Sequence, residues 1–235
     1  MNILITGASK GLGFELVQKF AKDKGNNIVA IARDTEQLKK LQEICEENFQ
    51  NKIHIYSIDF LSKNLSNDIS EMLSKHDPHF DIVINNAGYL INKPFIDCSD
   101  NDIADIYKIN LFAPMELTRQ IVPALNKEQL CHFVNIGSMG GFQGSVKFTG
   151  LSIYSSSKAA LANLTECLAE EYKAEKIKFN CLALGSVQTE MLNNAFPGFE
   201  AQVSAKEMAS YIHNFSIQHP IYINGKVIPV SNSTP

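Results

Sequence analysis

Tyr154 and Lys158 are four residues apart, a spacing that could support proton transfer. They lie in IYSSSKAALANLTECLAEEY, whose apolar periodicity is typical of an amphipathic helix. Residues four apart share a helix face, so the Lys158 ammonium can approach the Tyr154 phenol. A free phenol has a pKa of about 10, and a neighbouring cation is expected to lower it enough for acid/base chemistry. The same spacing is also common on ordinary helix surfaces, so the pair alone leaves both interpretations open.

The elements that must position this pair follow a regular alternation of short β-branched runs and longer amphipathic runs. The predicted strands span residues 2–6, 28–32, 53–58, 82–85, 131–136, 177–183 and 226–230. The predicted helices span residues 12–24, 35–48, 67–75, 101–126, 153–175 and 205–215. This alternation predicts an α/β fold, a doubly wound parallel sheet of about seven strands with helices on both faces.

No composition shift, repeat or linker divides the chain, so residues 1–235 are expected to form a single Rossmann-type domain that carries both cofactor and substrate sites. The loops at residues 137–152 and 184–204 follow predicted strands. We expect them to build the ligand site, because ligands in open α/β sheets bind beyond the carboxyl ends of the strands.

Composition excludes several classes of function. A net charge of −4 and a pI near 5.9 argue against nucleic acid as a partner. No apolar run approaches the roughly 18 residues that cross a bilayer, and the N-terminal segment has no basic region before its apolar residues. The five cysteines include no C-x-x-C pair, so neither a disulfide framework nor a metal site is expected. We expect a cytoplasmic protein.

A glycine-rich segment, ITGASKGLGFELVQKF, follows the first predicted strand directly. Gly7, Gly11 and Gly13 fall in the first strand-to-helix turn. Missing side chains there let backbone N–H groups approach a pyrophosphate at the helix N-terminus, so the segment predicts a dinucleotide site.

Five further motifs follow in a fixed order: Asp59 in SIDF, NNAG at 85–88, Asn110 in KINLF, Ser138 in VNIGS, and YSSSK. Together with T-G-x-x-x-G-x-G at 6–13, this order resembles the short-chain dehydrogenase/reductase family. The resemblance covers the chain up to about residue 191. It implies an enzyme that interconverts a carbonyl and an alcohol by hydride transfer with a nicotinamide dinucleotide.

The resemblance also implies roles for individual residues. Tyr154 is expected to be the general acid/base, and Lys158 both its electrostatic partner and a donor to the nicotinamide ribose. Ser138 is expected to bind the carbonyl oxygen, and Asn110 to hold a water that links the lysine to solvent. The implied dinucleotide-binding residues are Gly7, Ser9, Lys10, Gly11, Leu12, Gly13, Arg33, Asp59, Phe60, Asn86, Ala87, Gly88, Tyr154, Lys158, Gly185, Val187 and Thr189.

Charge at the end of the second predicted strand indicates which dinucleotide binds. A carboxylate there would bind the ribose 2′-OH and repel a 2′-phosphate, whereas this chain has Ala32 followed by Arg33. Lys10 in the glycine loop supplies a second cation, although Asp34 could offset Arg33. In the family such cations imply NADP(H), with NAD(H) as the alternative.

The chain departs from the family pattern in three segments. Ser138 and Tyr154 are sixteen positions apart because FQGSVKFTGLS lies between them, and Ser145 in that insertion is an alternative to Ser138. LGSVQT at 184–189 replaces the usual P-G-x-V-x-T. The C-terminal segment YINGKVIPVSNSTP lacks the family's closing pattern and is expected to serve assembly or cover the pocket.

Apolar residues in the loops predict a largely apolar pocket for a small or medium ketone or aldehyde. They are Tyr89, Leu90, Met139, Phe142, Phe148, Leu184, Met191, Phe196 and Phe199. The predicted helices at 101–126 and 153–175 resemble those through which family members pair, so a homodimer or homotetramer is expected.

Two alternatives to a general carbonyl reductase remain. One is a 3-oxoacyl-carrier-protein reductase, although NKEQLCH before the fifth strand has no arginine to dock an acidic carrier. The other is a non-catalytic NADP(H)-sensing regulatory protein, which would have no use for a Tyr–Lys acid/base pair.

Overall fold

A parallel β-sheet runs through the centre of the computed structural model, which describes residues 1–49, 51–76 and 79–232. Within those residues the sheet has seven strands: β1 (Asn2–Thr6), β2 (Asn27–Ala32), β3 (Ile53–Ser57), β4 (Ile82–Asn85), β5 (Cys131–Ser138), β6 (Ile177–Leu184) and β9 (Lys226–Val230). Their spatial order is β3-β2-β1-β4-β5-β6-β9. Two short strands, β7 (Val187–Gln188) and β8 (Val203–Ser204), pair separately. The predicted doubly wound α/β class is confirmed.

The helices pack on both faces of this sheet. They are α1 (Gly11–Ala21), α2 (Thr35–Phe49), α3 (Leu65–Leu73), α4 (Asp100–Tyr107), α5 (Ala113–Ile121), α6 (Ser152–Glu171), α7 (Glu190–Ala195) and α8 (Ala205–Gln218). Successive residues of β1 enter opposite cores, because Ile3 and Ile5 pack with α1, α2 and α8, whereas Leu4 packs with α3, α5 and α6. In the described part of the chain, no helix has both the length and the hydrophobicity to cross a membrane.

Strand order reverses between β1 and β4, which are neighbours in space although β2 and β3 separate them in sequence. A crevice forms at such a switch point because the connections leave β1 and β4 in opposite directions. Three adjacent strands end at this edge of the sheet, with Thr6, Asn85 and Ser138 as their last residues.

The prediction of one continuous helix over residues 101–126 was wrong. α4 ends at Tyr107, a π-helical turn spans Lys108–Phe112, α5 follows, and a 3₁₀ turn occupies Val122–Ala124. Pro114 explains the interruption, because it has no N–H to donate to the carbonyl four residues earlier, at position 110.

The two predicted loops also contain regular structure. β5 and β6 continue to Ser138 and Leu184, which shortens both loops at their N-terminal ends. The second loop contains β7, α7 and β8. α7 begins where the Thr189 hydroxyl accepts the Leu192 N–H at 3.3 Å, a side-chain cap that stabilises even a short helix.

Candidate active site

A cleft of about 780 Å³ opens at the carboxyl ends of the central strands. Its walls contain the glycine loop at one end and the Tyr154 segment at the other. Apart from Gly13, Asn110 and the alternative serine Ser145, every residue that the sequence implicated in catalysis or dinucleotide binding lines this cleft. Residues from seven separate segments of the chain are thus brought to one cavity.

The glycine loop adopts a backbone that side chains would not permit. Gly7 has a φ of +70°, and a Cβ there would lie 2.8 Å from the Cα of Ala87. A Cβ on Gly13 would lie 2.2 Å from the Gly7 carbonyl oxygen. Gly13 therefore lies beneath the loop and contributes close packing of α1 against β1, which explains why it does not line the cleft.

The N-terminus of α1 opens into the cleft without a side-chain cap. Lys10 at the cap position is extended and its side chain accepts no N–H from the helix. The first N–H groups of a helix have no partner within the helix, and together with the helix dipole they favour an anion. This end of the cleft fits a pyrophosphate, and the missing Cβ atoms of the loop make room for it.

Thr6 and Asn86 brace the loop. The Thr6 hydroxyl accepts the backbone N–H groups of Asn86 at 3.1 Å and Ala87 at 3.0 Å. In return, the Asn86 amide donates to the Thr6 carbonyl at 2.9 Å. Thr6 was not among the candidate residues, although the sequence shows a threonine at the end of the first predicted strand, next to Gly7.

The two cations predicted to select the dinucleotide, Lys10 and Arg33, both line the cleft. Arg33 is exposed at the end of β2, and the Lys10 ammonium forms an ion pair of 2.9 Å with Glu190. Asp59 turns its carboxylate to the N–H of Leu61 at 3.0 Å, which fixes the turn after β3. Glu190 was missed because nothing in the sequence places α7 over the glycine loop.

Tyr154 is partly buried near the start of α6 and shares a hydrogen bond with the Ser138 hydroxyl. Ser138 is held in turn by the Gly140 N–H, which donates to its Oγ at 3.1 Å. Burial raises the pKa of Tyr154, and the hydrogen bond to Ser138 offsets only part of this effect. Desolvation therefore dominates at Tyr154, and the downward shift expected from Lys158 together with an oxidised nicotinamide stays a prediction.

Lys158 is 3% exposed, and its ammonium donates to the Ile136 carbonyl at 2.8 Å. Burial lowers the pKa of Lys158 to about 8, because the charged form loses solvation. The lysine nevertheless remains mostly charged at neutral pH. Its cation therefore lies in the floor of the cleft, on the same helix as Tyr154 and one turn further along.

Asn110 lies within the π-helical turn and is fully buried. Its side chain accepts the Tyr89 N–H at 2.8 Å, donates to the Tyr89 carbonyl at 2.9 Å and donates to Ser157 Oγ at 2.9 Å. A Cβ on Gly88 would be 3.6 Å from both Asn110 Oδ1 and Lys158 Nζ. Asn110 thus joins the turn after β4 to α6 immediately beside Lys158, behind the cleft wall.

Comparison with known protein families identifies the family to which this chain belongs. A family model described as short chain dehydrogenase matches residues 1–198. The chain is a short-chain dehydrogenase/reductase. It is therefore an oxidoreductase, and the family that the order of its motifs predicted is confirmed.

Relatives of this dehydrogenase span almost its full length. It is 27% identical to 3-oxoacyl-[acyl-carrier-protein] reductase FabG of Aquifex aeolicus, over 97% of this chain and 94% of that protein. A short chain dehydrogenase of Shigella flexneri 2a, solved in complex with NADP, has a TM-score of 0.88 at 25% identity, covering 97% of this chain and 95% of that one. L-Sorbose reductase of Gluconobacter frateurii, with NADPH and L-sorbose, has a TM-score of 0.86 at 22% identity, covering 99% and 95%, which shows the shared fold.

The substrate side of the short-chain dehydrogenase cleft is apolar, as expected. All the predicted loop residues except Phe142 line it, and Val146, Leu151 and Leu192 add to the wall. Ser145 does not line the cleft; its hydroxyl donates to the carbonyls of Met139 and Phe142, so Ser138 is the serine beside Tyr154.

The C-terminal segment contributes both a strand and a wall. β9 pairs in parallel with β6, and the Gly185 N–H donates to the Val230 carbonyl at 2.9 Å. Ser231, the residue after β9, lines the cleft. From its sequence, the C-terminal segment was expected to serve assembly or cover the pocket, but no residue was assigned to either role.

Proposed function

We propose that this chain is an NADP(H)-dependent reductase that converts an apolar ketone or aldehyde to an alcohol. The observation that carries the proposal is that Ser138, Tyr154 and Lys158 line the same cleft as the uncapped N-terminus of α1. One end of the cleft fits a pyrophosphate, and the other offers a phenol, a hydroxyl and a buried cation to a reacting oxygen.

The first turn of α1 would hold the pyrophosphate of the dinucleotide, and Asp59 with Phe60 would border its adenine. Lys10 and Arg33 are the cations that would bind a 2′-phosphate, and Val187 with Thr189 would meet the nicotinamide end. When bound, the dinucleotide supplies the hydride. The solved complexes of related dehydrogenases with NADP and NADPH support this choice of cofactor.

Tyr154 would deliver the proton. Because burial raises its pKa, the phenol is protonated at neutral pH and can donate to a carbonyl oxygen as negative charge develops there. Ser138, already hydrogen-bonded to Tyr154, would donate to the same oxygen and stabilise that charge.

Lys158 would stabilise the phenolate that Tyr154 leaves behind. Its pKa of about 8 keeps the ammonium charged at pH 7, and its distance of one helical turn from Tyr154 allows a direct electrostatic effect. Asn110 would support this step by fixing the wall beside Lys158 and, as in the family, by holding a water that connects the lysine to solvent.

A second candidate is reduction of a 3-oxoacyl group on an acyl carrier protein, favoured by the similarity to the Aquifex aeolicus reductase over nearly the whole chain. The surface before β5 does not favour it. Lys127 pairs with Glu175 at 3.6 Å and Lys176 with Glu128 at 3.4 Å, so local carboxylates offset the cations that would meet an acidic carrier.

The test is a panel of ketones, aldehydes and 3-oxoacyl thioesters with NADPH, followed by the loss of absorbance at the nicotinamide band. Turnover of apolar carbonyls above that of carrier-linked thioesters supports the proposal. Preference for the carrier-linked thioester would establish the second candidate instead. Tight NADPH binding with no turnover across the panel would indicate a cofactor-sensing protein.

We also propose a cytoplasmic homodimer or homotetramer that associates through α4, α5 and α6. Phe112 and Met115 support this interface, because they are 52% and 42% exposed on the α4–α5 segment. Light scattering of the wild type and of Phe112→Asp tests it, and an assembly unchanged in mass by Phe112→Asp would contradict this interface.

A further inference from the structure

The Lys10–Glu190 ion pair joins two walls of the cleft that are far apart in sequence. Lys10 precedes the first turn of α1, and Glu190 is the first residue of α7. The Lys10 Nζ and Glu190 Oε1 atoms are 2.9 Å apart, and the ammonium lowers the pKa of the Glu190 carboxyl. Both residues also line the cleft, so the pair lies at its edge and not on a remote surface.

The residues next to the pair also lie close together. A Cβ built on Gly11 would lie 3.4 Å from Thr189 Cγ2, so the Thr189 side chain lies beside the glycine loop, next to the Lys10–Glu190 pair. In the part of the chain that the structure describes, the Arg33 side chain has no ion pair, in contrast to Lys10.

We propose that Glu190 is a specificity-determining residue for the dinucleotide, because its carboxylate pairs with the Lys10 ammonium, the group that would otherwise bind a 2′-phosphate. The inference rests on the proposed NADP(H) site and deepens it. A 2′-phosphate must displace Glu190 from Lys10 and then remain near its negative charge, whereas a dinucleotide with a free 2′-OH need not. Glu190 therefore reduces the preference for NADP(H) that Lys10 and Arg33 create.

The size of the effect follows from exposure. The side chains of Lys10 and Glu190 are 60% and 58% exposed, so their attraction is that of a solvated pair. Losing such a pair corresponds to a change in affinity of about two- to fivefold. Glu190→Gln is expected to tighten NADPH binding by this factor and to change NADH binding by less than about twofold. The effect should shrink as ionic strength rises.

The experiment measures dissociation constants of NADPH and NADH by fluorescence titration at low and high salt. The variants are Glu190→Gln, Lys10→Gln, the double variant, and Glu200→Gln as the matched control. Glu200 is an exposed carboxylate on the same segment, ten residues further along, so its replacement changes the net charge equally. Calorimetric titration with 2′,5′-ADP and 5′-AMP isolates the 2′-phosphate from the nicotinamide.

Support requires that Glu190→Gln raises the NADPH preference, that Glu200→Gln does not, and that the gain is smaller in the Lys10→Gln background. An unchanged ratio, or an equal gain from Glu200→Gln or with Lys10 absent, would overturn the inference while the proposed function stands. If the wild type binds neither dinucleotide, the proposed cofactor and this inference both fail.

Discussion

Replacing Lys158 by methionine is expected to stabilise the fold near neutral pH while it abolishes the proposed chemistry. Lys158 is buried, and its pKa falls from 10.5 to about 8. At pH 7 both the folded and unfolded lysine are charged, so the folded chain carries the full cost of the shift, about 3 kcal/mol. The methionine variant also loses the hydrogen bond to the Ile136 carbonyl, which destabilises it by roughly 1–2 kcal/mol and offsets part of the gain. The net gain in the free energy of unfolding is therefore about 1–2 kcal/mol at pH 7.

The pH dependence has a defined sign. Between pH 8 and pH 10.5 the unfolded lysine binds more protons than the folded one, so the wild type gains stability as pH rises. The advantage of the methionine variant should thus fall by about 2–3 kcal/mol between pH 7 and pH 10. Urea unfolding of both proteins at pH 7, 8, 9 and 10 measures this difference.

Lys40→Met is the control, because Lys40 is exposed on α2. It should leave both the stability and its pH dependence within about 0.5 kcal/mol of the wild type. A Lys158→Met variant that is less stable than the wild type at pH 7, with the same difference at pH 10, would refute the interpretation of Lys158 as a buried charge that costs stability.

Three further predictions concern packing and exposure. Gly13→Ala is expected to destabilise the fold by roughly 3 kcal/mol in urea unfolding, because its Cβ would meet the Gly7 carbonyl at 2.2 Å. Asn92→Ala should speed amide exchange in α7, since its amide donates to the Ala195 carbonyl at 2.9 Å, while global stability changes by only about 1 kcal/mol. Exposed Cys167 should react with a thiol reagent in the native state, whereas the buried cysteines should react only after unfolding.

Each of these has a clear opposite outcome. Gly13 lies in α1 and has no positive φ, so Gly13→Ala tests packing without added backbone strain. A Gly13→Ala variant as stable as the wild type would show that the close packing under the loop is unimportant. Unaltered exchange in α7 of Asn92→Ala, or rapid native labelling of Cys45, whose pKa burial raises to about 11, would contradict the packing described above.

The strands and the glycine turn could be predicted because their signals are local. β1 is a short apolar run that ends at Thr6, directly before Gly7, and its pattern is set by the period of a strand and the freedom of a glycine. The order of the later motifs then located Ser138 and Tyr154 at one end of the sheet. The cleft brings these residues together because parallel strands end at the same edge.

The features that the sequence did not reveal depend on contacts between distant segments. The π-helical turn around Asn110 depends on Pro114 and on the bonds from Asn110 to Tyr89 and Ser157, so apolar periodicity alone predicted an unbroken helix. The direction of the Tyr154 pKa shift depends on burial, which the Tyr–Lys spacing does not report. α7 could have been found from Thr189, a cap residue followed by helix-forming residues, but its contact with the glycine loop could not.

The most direct test of the proposed mechanism is single-turnover reduction by Tyr154→Phe, with the dissociation constant of NADPH measured on the same protein. Removing the phenol hydroxyl takes away the proton donor and leaves the glycine loop and Lys158 in place. We predict that NADPH affinity changes by less than about threefold while the rate of hydride transfer falls by about 10²- to 10⁴-fold. Turnover at the wild-type rate with NADPH bound would contradict the role of Tyr154 as the general acid.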